Sequence, residues 1–254
     1  MKRASLIMSI LVLLALCAAA SAADERVGVW YSAYNKNIVV DGKLDEGEWV
    51  TTYPNEISPN NPDWHHYQGR TLEEVYPDKF SGVLYCNWDE EYIYFAGIIK
   101  DDDVSVTDFW DCDYFGFYFD ALGITQPGDP AWMDGHIWAH WRINPDGQSP
   151  KGSKEVRARD DYMGRSGHQQ IPGSKGERVF TDDGYTFEIM IPWKELAFLD
   201  EPYEGRETPF RILAYEVDLV LGGAFKLTSQ YFWGHALDVH HEEFWHMGRL
   251  ILVK

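Results

Sequence analysis

Residues 110–120 read WDCDYFGFYFD, and from residue 114 the stretch alternates between two kinds of side chain. One set is Phe115, Phe117 and Phe119; the intervening set is Tyr114, Gly116 and Tyr118. Because successive side chains of a β-strand point to opposite faces, this alternation predicts a strand with its phenylalanine face in a core. Large rings between packed layers are typical of all-β proteins.

Turn signals separate further short alternating segments along the chain, as in Asp182-Asp183-Gly184. We predict strands near 37–40, 80–88, 92–100, 113–120, 136–143, 177–181, 185–191, 209–218, 226–233 and 248–253. Pro192 opens one predicted short helix over Trp193 to Leu199. Segments 53–79 and 145–176 are rich in Pro, Gly, Asn and charge and predict surface loops. The predicted fold is all-β: a single two-sheet, mainly antiparallel β-sandwich with one or two short helices.

The first 22 residues have the pattern of a secretory signal peptide. Lys2 and Arg3 precede an apolar run from Leu6 to Leu16, and Ala20-Ser21-Ala22 forms an A-x-A cleavage site. The apolar run is too short for a comfortable transmembrane span, and Leu16 disfavours a lipoprotein site at Cys17. We therefore expect cleavage after Ala22, a secreted or periplasmic protein, and one domain over residues 23–254.

The composition narrows the choice of ligands. The formal charge is −19, and loss of Lys2 and Arg3 makes it more negative. Such a surface repels phosphate backbones and anionic lipids, so neither nucleic acid nor a membrane is an expected partner after signal cleavage.

Cysteine usage leaves two alternatives open. Cys86 and Cys112 remain after signal cleavage, and in an oxidising compartment an even pair is a disulfide candidate. The other interpretation is two buried thiols packed as small apolar groups.

The segment HIWAHWRIN at 136–144 has one face unsuited to a core. Ile137, Ala139, Trp141 and Ile143 form an apolar face, whereas the opposite face carries His136, Trp138, His140 and Arg142. An aromatic plane among hydrogen-bonding side chains is what a ligand surface needs. A solvated outer face with a stray tryptophan is the alternative.

Several segments together resemble the family 9 carbohydrate-binding module, a secreted β-sandwich that binds sugars without chemistry. They are VDGKLDEGEW at 40–49, WDEEYIYFAGIIKDDD at 88–103, WDCDYFGFYFD at 110–120, AHWRIN at 139–144, GYTFEIMIPW at 184–193 and MGRLIL at 247–252. The resemblance assigns sugar stacking to Trp110 and hydrogen bonding to Arg142. It implies an oligo- or polysaccharide ligand and a supporting role in polysaccharide degradation, with a glycoside hydrolase acting in trans.

The sequence departs from the family pattern at several positions. The family's sugar-contacting Glu is Gly116 here, and its second stacking Trp aligns with His241. Trp245, Trp233 and Trp138 are the candidate replacements for that ring. The polar positions of a later family strand map loosely onto Tyr215 and Glu216. The predicted sugar-binding residues are therefore Trp110, Arg142, Trp138, His140, His241, Trp245 and Glu216.

Acidic residues crowd the region from Asp101 to Asp113. Family members often carry structural calcium, and calcium takes six to eight oxygen ligands. We assign a calcium site to Asp101, Asp103 and Asp111; a solvated acidic loop is the alternative.

Two other functions compete with sugar binding. A glycoside hydrolase would use a pair of carboxylates, and the many Asp and Glu residues leave such a pair open. A haem-binding electron-transfer sandwich would need axial ligands from His136, His140, Met190 and Met247, and the chain has no C-x-x-C-H motif. No catalytic constellation stands out, so we expect no enzymatic activity.

Overall fold

In a computed structural model of the chain, the described residues form fourteen β-strands and one 3₁₀ turn. The structure describes residues 28–58, 60–66, 80–104, 112–125, 135–142, 156–160, 165–198, 200–220, 225–234 and 247–254. The strands are β1 (Val29–Tyr34), β2 (Asn55–Ile57), β3 (Trp64–His66), β4 (Phe80–Trp88), β5 (Tyr92–Asp101), β6 (Tyr114–Asp120), β7 (His136–Arg142), β8 (Arg157–Asp160), β9 (Arg165–Gln170), β10 (Lys175–Thr181), β11 (Gly184–Pro192), β12 (Glu207–Val220), β13 (Phe225–Trp233) and β14 (Gly248–Val253).

One hydrogen-bonded path connects most strands, in the order β10-β11-β5-β4-β1-β14-β12-β6-β7-β8-β9. The path curls into two layers that face each other. The first layer holds β10, β11, β5, β4 and β1, with β2 on β4; the second holds β14, β12, β6, β7, β8 and β9, with β13 on β12 and β3 on β13. Strand β1 runs parallel to β14 and β4, and the other described pairs are antiparallel. The predicted mainly antiparallel sandwich is confirmed.

Aromatic rings fill the space between the layers. Phe95 of β5 stacks on Phe117 of β6 with ring centroids 4.1 Å apart, and Phe187 of β11 stacks on Trp141 of β7 at 5.0 Å. Burial of each such ring stabilises the fold by about 1.5–3 kcal/mol. The predicted facing of Phe115, Phe117 and Phe119 is therefore confirmed.

The prediction was wrong for several short elements. Residues 37–40 form no strand, whereas β1 was missed. Segment 53–79 contains β2 and β3, and segment 145–176 contains β8 and β9. These strands are short and lie among turn-forming residues, so alternation gives little signal. The predicted helix over Trp193 to Leu199 is a 3₁₀ turn over Trp193–Glu195.

A loop from the VDGKLDEGEW segment covers the outside of the first layer. It is fixed by Glu188 of β11, which is fully buried. The backbone N–H groups of Asp41 and Gly42 donate to its Oε2 at 2.7 and 2.8 Å, and the Trp49 indole N–H donates to Oε1 at 2.7 Å. The predicted Asp-Gly turn is thus fastened to the sheet by one carboxylate.

Cys86 and Cys112 are both buried and are not joined to each other by a disulfide. The Cys86 thiol donates to Ser32 Oγ at 3.1 Å, and burial raises the pKa of Cys86. The structure therefore shows the buried-thiol alternative. The predicted signal peptide lies outside the described residues, and in the described ranges no helix has the length and apolarity to cross a bilayer.

Candidate functional site

The second layer has an outer face, formed by the residues of β6, β7 and β12 that point away from the core. They alternate with core positions and include Tyr114, Gly116, Tyr118, Trp138, His140, Arg142, Arg211, Leu213 and Tyr215. Most of this outer face is buried, including Trp138 at 9% exposure and Arg142 at 4%. It is therefore neither an apolar core nor the solvated face that was the alternative for β7.

One half of the outer face is an aromatic stack built over a glycine. Trp138 lies parallel to Tyr118, with centroids 5.5 Å apart and 7° between the ring planes. The indole crosses directly over Gly116, where an added Cβ would sit 2.7 Å from Trp138 Nε1. The position of the family's glutamate is thus occupied by the Trp138 ring.

The other half joins rings to hydrogen-bonding groups. Tyr114 stacks on Tyr215 at 4.6 Å. His140 approaches the Tyr114 ring edge-on at 6.4 Å, and the Arg142 guanidinium carbon lies 6.0 Å from the same centroid. Tyr215 is half-buried and its ring reaches the surface, whereas Tyr114 is buried beside it.

Cationic side chains lie among these rings. Burial lowers the pKa of Arg142 to about 10, and the neighbouring Arg157 of β8 acts in the same direction. Arg142 therefore stays charged at neutral pH. Arg211 is fully buried, with its guanidinium 4.1 Å from the Tyr118 ring and 5.7 Å from Phe232.

Gln230 adds a hydrogen-bond acceptor beside the stacked tyrosines. It lies on β13 directly opposite Tyr215 and is half-buried. Within the described part of the chain, no group donates a hydrogen bond to its buried side-chain oxygen. An acceptor in this position suits a donor brought by a ligand.

The structure places Glu216 away from Arg142. Its neighbour on the same side of β12, Ala214, belongs to the main core, so strand alternation directs Glu216 into the end of the space between the layers. There its carboxylate, with those of Asp101 and Asp103, forms a group whose oxygens lie within 4.8 Å of one another. Burial raises the pKa of Tyr185, and the nearby carboxylates of Asp113, Asp101 and Glu216 add to that shift.

Several predicted residues lie outside the described part of the chain: Trp110, Asp111, His241 and Trp245. Trp233 is described and belongs to the core, with its ring 6.0 Å from Trp30, so it is not the second stacking ring. Alternation already assigned Tyr114 and Tyr118 to the outer face. Arg157 was missed because its strand lies in a segment predicted as a loop.

The candidate haem ligands are divided between the two layers, with Met190 apart from His136, His140 and Met247. Met190 packs under the loop that covers the first layer, whereas Met247 packs on the outer face of the second. His136 Nε2 lies 2.6 Å from Thr125 Oγ1, which donates to Asp120 Oδ2 at 2.7 Å. This arrangement fixes the turn after β6.

Comparison with solved structures gives a clear result for the fold. A family 9 carbohydrate-binding module from Caldicellulosiruptor kristjanssonii in complex with cellotriose superposes with a TM-score of 0.58, over 89% of this chain and 94% of that one. The fold is that of a family 9 module. The complex of a family 9 module from the same organism with glucose gives a TM-score of 0.60, over 89% and 95%. Both are 13% identical to this chain. No family model and no curated protein matches the sequence.

The family 9 fold accounts for the motifs noted in the sequence. The Asp-Gly turn meets the glutamate of the GYTFE segment as the Glu188 anchor. The DYFGFYFD segment is β6, at the centre of the second layer. The resemblance inferred from these segments is confirmed at the level of the fold.

Proposed function

We propose that this protein binds carbohydrate at the outer face of the second layer and performs no chemistry on it. The observation that carries the proposal is the stacked Tyr114–Tyr215 pair, which lies beside Arg142, His140 and Gln230. Sugars present flat C–H faces above rings of hydroxyls, so they need aromatic planes next to hydrogen-bonding side chains.

The binding free energy that such contacts supply is large enough for a sugar site. A ring that stacks on a flat ligand contributes about 1–3 kcal/mol, by analogy with bases on aromatic side chains. Hydrogen bonds to charged groups contribute about 1.5–3 kcal/mol each. Trp138 completes the aromatic half of the described face, and Trp110, His241 and Trp245 are further proposed contacts. The cellotriose and glucose complexes of the family 9 structures support this ligand class.

The proposal includes a cellular role. The signal-peptide pattern supports export after cleavage at Ala22. In that location the protein would hold a polysaccharide for a glycoside hydrolase that acts in trans. We expect no reducing sugar from common polysaccharides incubated with the purified protein. Release that stops after substitution of one Asp or Glu would instead favour the carboxylate-pair hydrolase.

Calorimetric titration of the purified protein with cello-, xylo- and galacturono-oligosaccharides tests binding. Tyr215→Ala is expected to weaken the affinity at least several-fold without changing the melting temperature much, because Tyr215 is half-buried. The control is Phe198→Ala, in a separate cleft of about 620 Å³ also lined by Tyr92, Pro192 and Trp193. If only the Phe198 variant loses binding, the sugar binds in that cleft and not at the outer face. Absence of binding to every sugar would overturn the proposal.

We also propose that calcium binds at the end of the sandwich. Asp101, Asp103 and Glu216 supply three carboxylates in one cluster, which is a hard oxygen donor set that fits Ca²⁺. Asp111, predicted as a third ligand, stays a candidate. A bound cation would offset repulsion between these acidic groups and link β5 of one layer to β12 of the other.

Melting temperatures with calcium and with a chelator test this site. Calcium is expected to raise the melting temperature by a few degrees, since a ligand that binds only the folded state stabilises it. Glu216→Gln should remove the response, whereas Glu204→Gln, at an exposed acidic position, should keep it. An equal calcium response in both variants would contradict the assignment.

A further inference from the structure

Two exposed tyrosines contact each other on the outer side of β1. Tyr31 is 40% exposed and Tyr53 is 37% exposed. Their ring centroids are 5.3 Å apart, with 45° between the ring planes. Val29, two residues before Tyr31 on the same side of the strand, is also exposed. Single exposed apolar side chains are normal, whereas a contiguous group of them marks a place where a ligand or partner binds.

The backbone under both rings is held in place. Strand β1 forms a continuous ladder with β14 from Val29 to Ala33, which includes Tyr31. The indole of Trp30, a core residue, donates its N–H to the Tyr53 carbonyl at 2.9 Å. Rings on a fixed backbone bind a ligand without the entropy loss of ordering a loop.

Hydrogen-bonding groups lie in line with the rings. Tyr31 is in register with Ile251 of β14, and Ile251 is in register with Glu207 of β12. Arg249 donates to Glu207 Oε1 at 2.9 Å, and within the described part of the chain its buried Nε has no acceptor. Since neighbouring strands are about 4.8 Å apart, Tyr31 and Glu207 are about 10 Å apart across the sheet. Aromatic planes and polar groups thus lie side by side, as a sugar requires.

These side chains lie on the same side of β12 as the proposed sugar site. Ile212 belongs to the core, so the odd-numbered residues of β12 point away from it. Glu207 lies eight residues before Tyr215, which is about 26 Å along the strand. Between them Arg211 and Leu213 are buried. One side of the sheet therefore exposes two separate places with aromatic rings.

We propose that Tyr31 and Tyr53 form a second sugar-stacking site, so that one long polysaccharide chain is held at two places. A sugar ring presents its C–H face to the tyrosines and its hydroxyls to the Arg249–Glu207 pair. A protein partner fits less well, because a stable protein interface buries about 1,200–2,000 Å² and this patch consists of a few side chains. This inference rests on the proposed function, because it concerns the length of the same ligand.

Binding at two places distinguishes long ligands from short ones. Once one site is occupied, binding of the same chain at the other is intramolecular, which raises the affinity without a new kind of contact. A trisaccharide is too short to span about 26 Å at 3.3–3.6 Å per backbone residue of β12 and gains nothing from the second site. We therefore expect the tyrosine pair to matter for polymers and not for trisaccharides.

The test compares polymers with trisaccharides by calorimetric titration. The probes are hydroxyethyl cellulose, xylan and polygalacturonate, each with its own trisaccharide. A double variant, Tyr31→Val with Tyr53→Val, should bind the preferred polymer about ten-fold more weakly than the parent, and should bind the trisaccharide as the parent does. Valine suits a strand, so the variant is expected to fold, which its melting temperature checks. Tyr215→Ala should weaken both ligands. The control is Tyr203→Val, at a tyrosine that is 55% exposed in the loop before β12 and should bind like the parent.

The outcomes separate this inference from the proposed function. Equal polymer affinity in the double variant and the parent overturns the second site and leaves sugar binding at the outer face intact. Loss of trisaccharide binding in the double variant also overturns it, since the patch would then be the first site. A parent dimer in sedimentation that the double variant converts to a monomer would assign the patch to a second copy of the chain instead. No binding of any polymer or trisaccharide overturns the proposed function itself.

Discussion

A missing side chain sets the shape of the outer face. Gly116 has no Cβ, and the Trp138 indole takes up the space above it. The parallel stack of Trp138 on Tyr118 depends on this close approach. At position 116 the family pattern has a carboxylate; here the Trp138 ring covers that position instead.

Gly116→Ala is expected to destabilise the fold by about 1–3 kcal/mol, because the added carbon forces the indole out of a packed position. Thermal unfolding measures the cost, and near-ultraviolet circular dichroism reports the displaced ring. In a Trp138→Ala background the same substitution should cost much less, since the colliding ring is gone. Equal costs in both backgrounds would show that the ring is not the cause.

The covering loop of the first layer has a buried carboxylate among its anchors. Glu188 Oε2 and Oε1 accept three hydrogen bonds from the loop, and Gly42 packs against the backbone of Arg178. The Gly42 N–H and the Trp49 indole N–H would be left buried and unsatisfied without this acceptor. Thr186 Oγ1, which donates to the Gly42 carbonyl at 2.6 Å, is a second anchor of the same turn.

Glu188→Ala should lower the free energy of unfolding by about 2–4 kcal/mol, because it orphans two backbone N–H groups and the Trp49 indole N–H. Hydrogen exchange should accelerate most in residues 38–50 and least in β6 and β7. The exposed Glu204→Ala is the control. Uniform acceleration over the whole chain would argue against a local anchor.

The same carboxylate gives the stability a pH dependence. Burial raises the pKa of Glu188 above its usual value of 4.5, against the lowering effect of its hydrogen bonds. A group whose pKa is higher in the folded state stabilises the fold below the unfolded pKa and loses that contribution as pH rises through the folded pKa. The stability of the parent relative to Glu188→Gln should therefore fall as pH is raised from about 4.5. Denaturant unfolding at a series of pH values measures this difference, and a constant difference would contradict the shift.

The long strands could be predicted from sequence because alternation continues over many residues, as in β4, β5 and β12. The position of Arg142 on the outer face followed from the same rule. Three features could not be predicted in this way. Strand alternation puts Glu188 outside the first layer, and only the tertiary covering loop buries it. Arg157 and Gln230 join the site because their strands pair with β7 and β12. Alternation within a strand does not tell which strands pair, so this could not be predicted.

The two buried thiols give a test of the whole molecule. Cys86 and Cys112 are both buried, so neither should react quickly with a thiol reagent in the native protein. After denaturation without reductant, two thiols should react in a chain that begins at Ala23, and a retained Cys17 would add a third. A reductant should leave the melting temperature unchanged. No reactive thiol after denaturation would show that the pair is oxidised.

The pairing of β1 with β14 has a consequence for how the chain is made. The strand nearest the start of the described chain lies in register with the strand at its end, from Val29 opposite Arg249 to Ala33 opposite Val253. A polypeptide that emerges from the ribosome or a translocon in order cannot form this ladder until β14 has emerged. Contacts so distant in sequence slow folding. We therefore expect the two layers to close only after β14 has been released, both during synthesis and during the export that we propose.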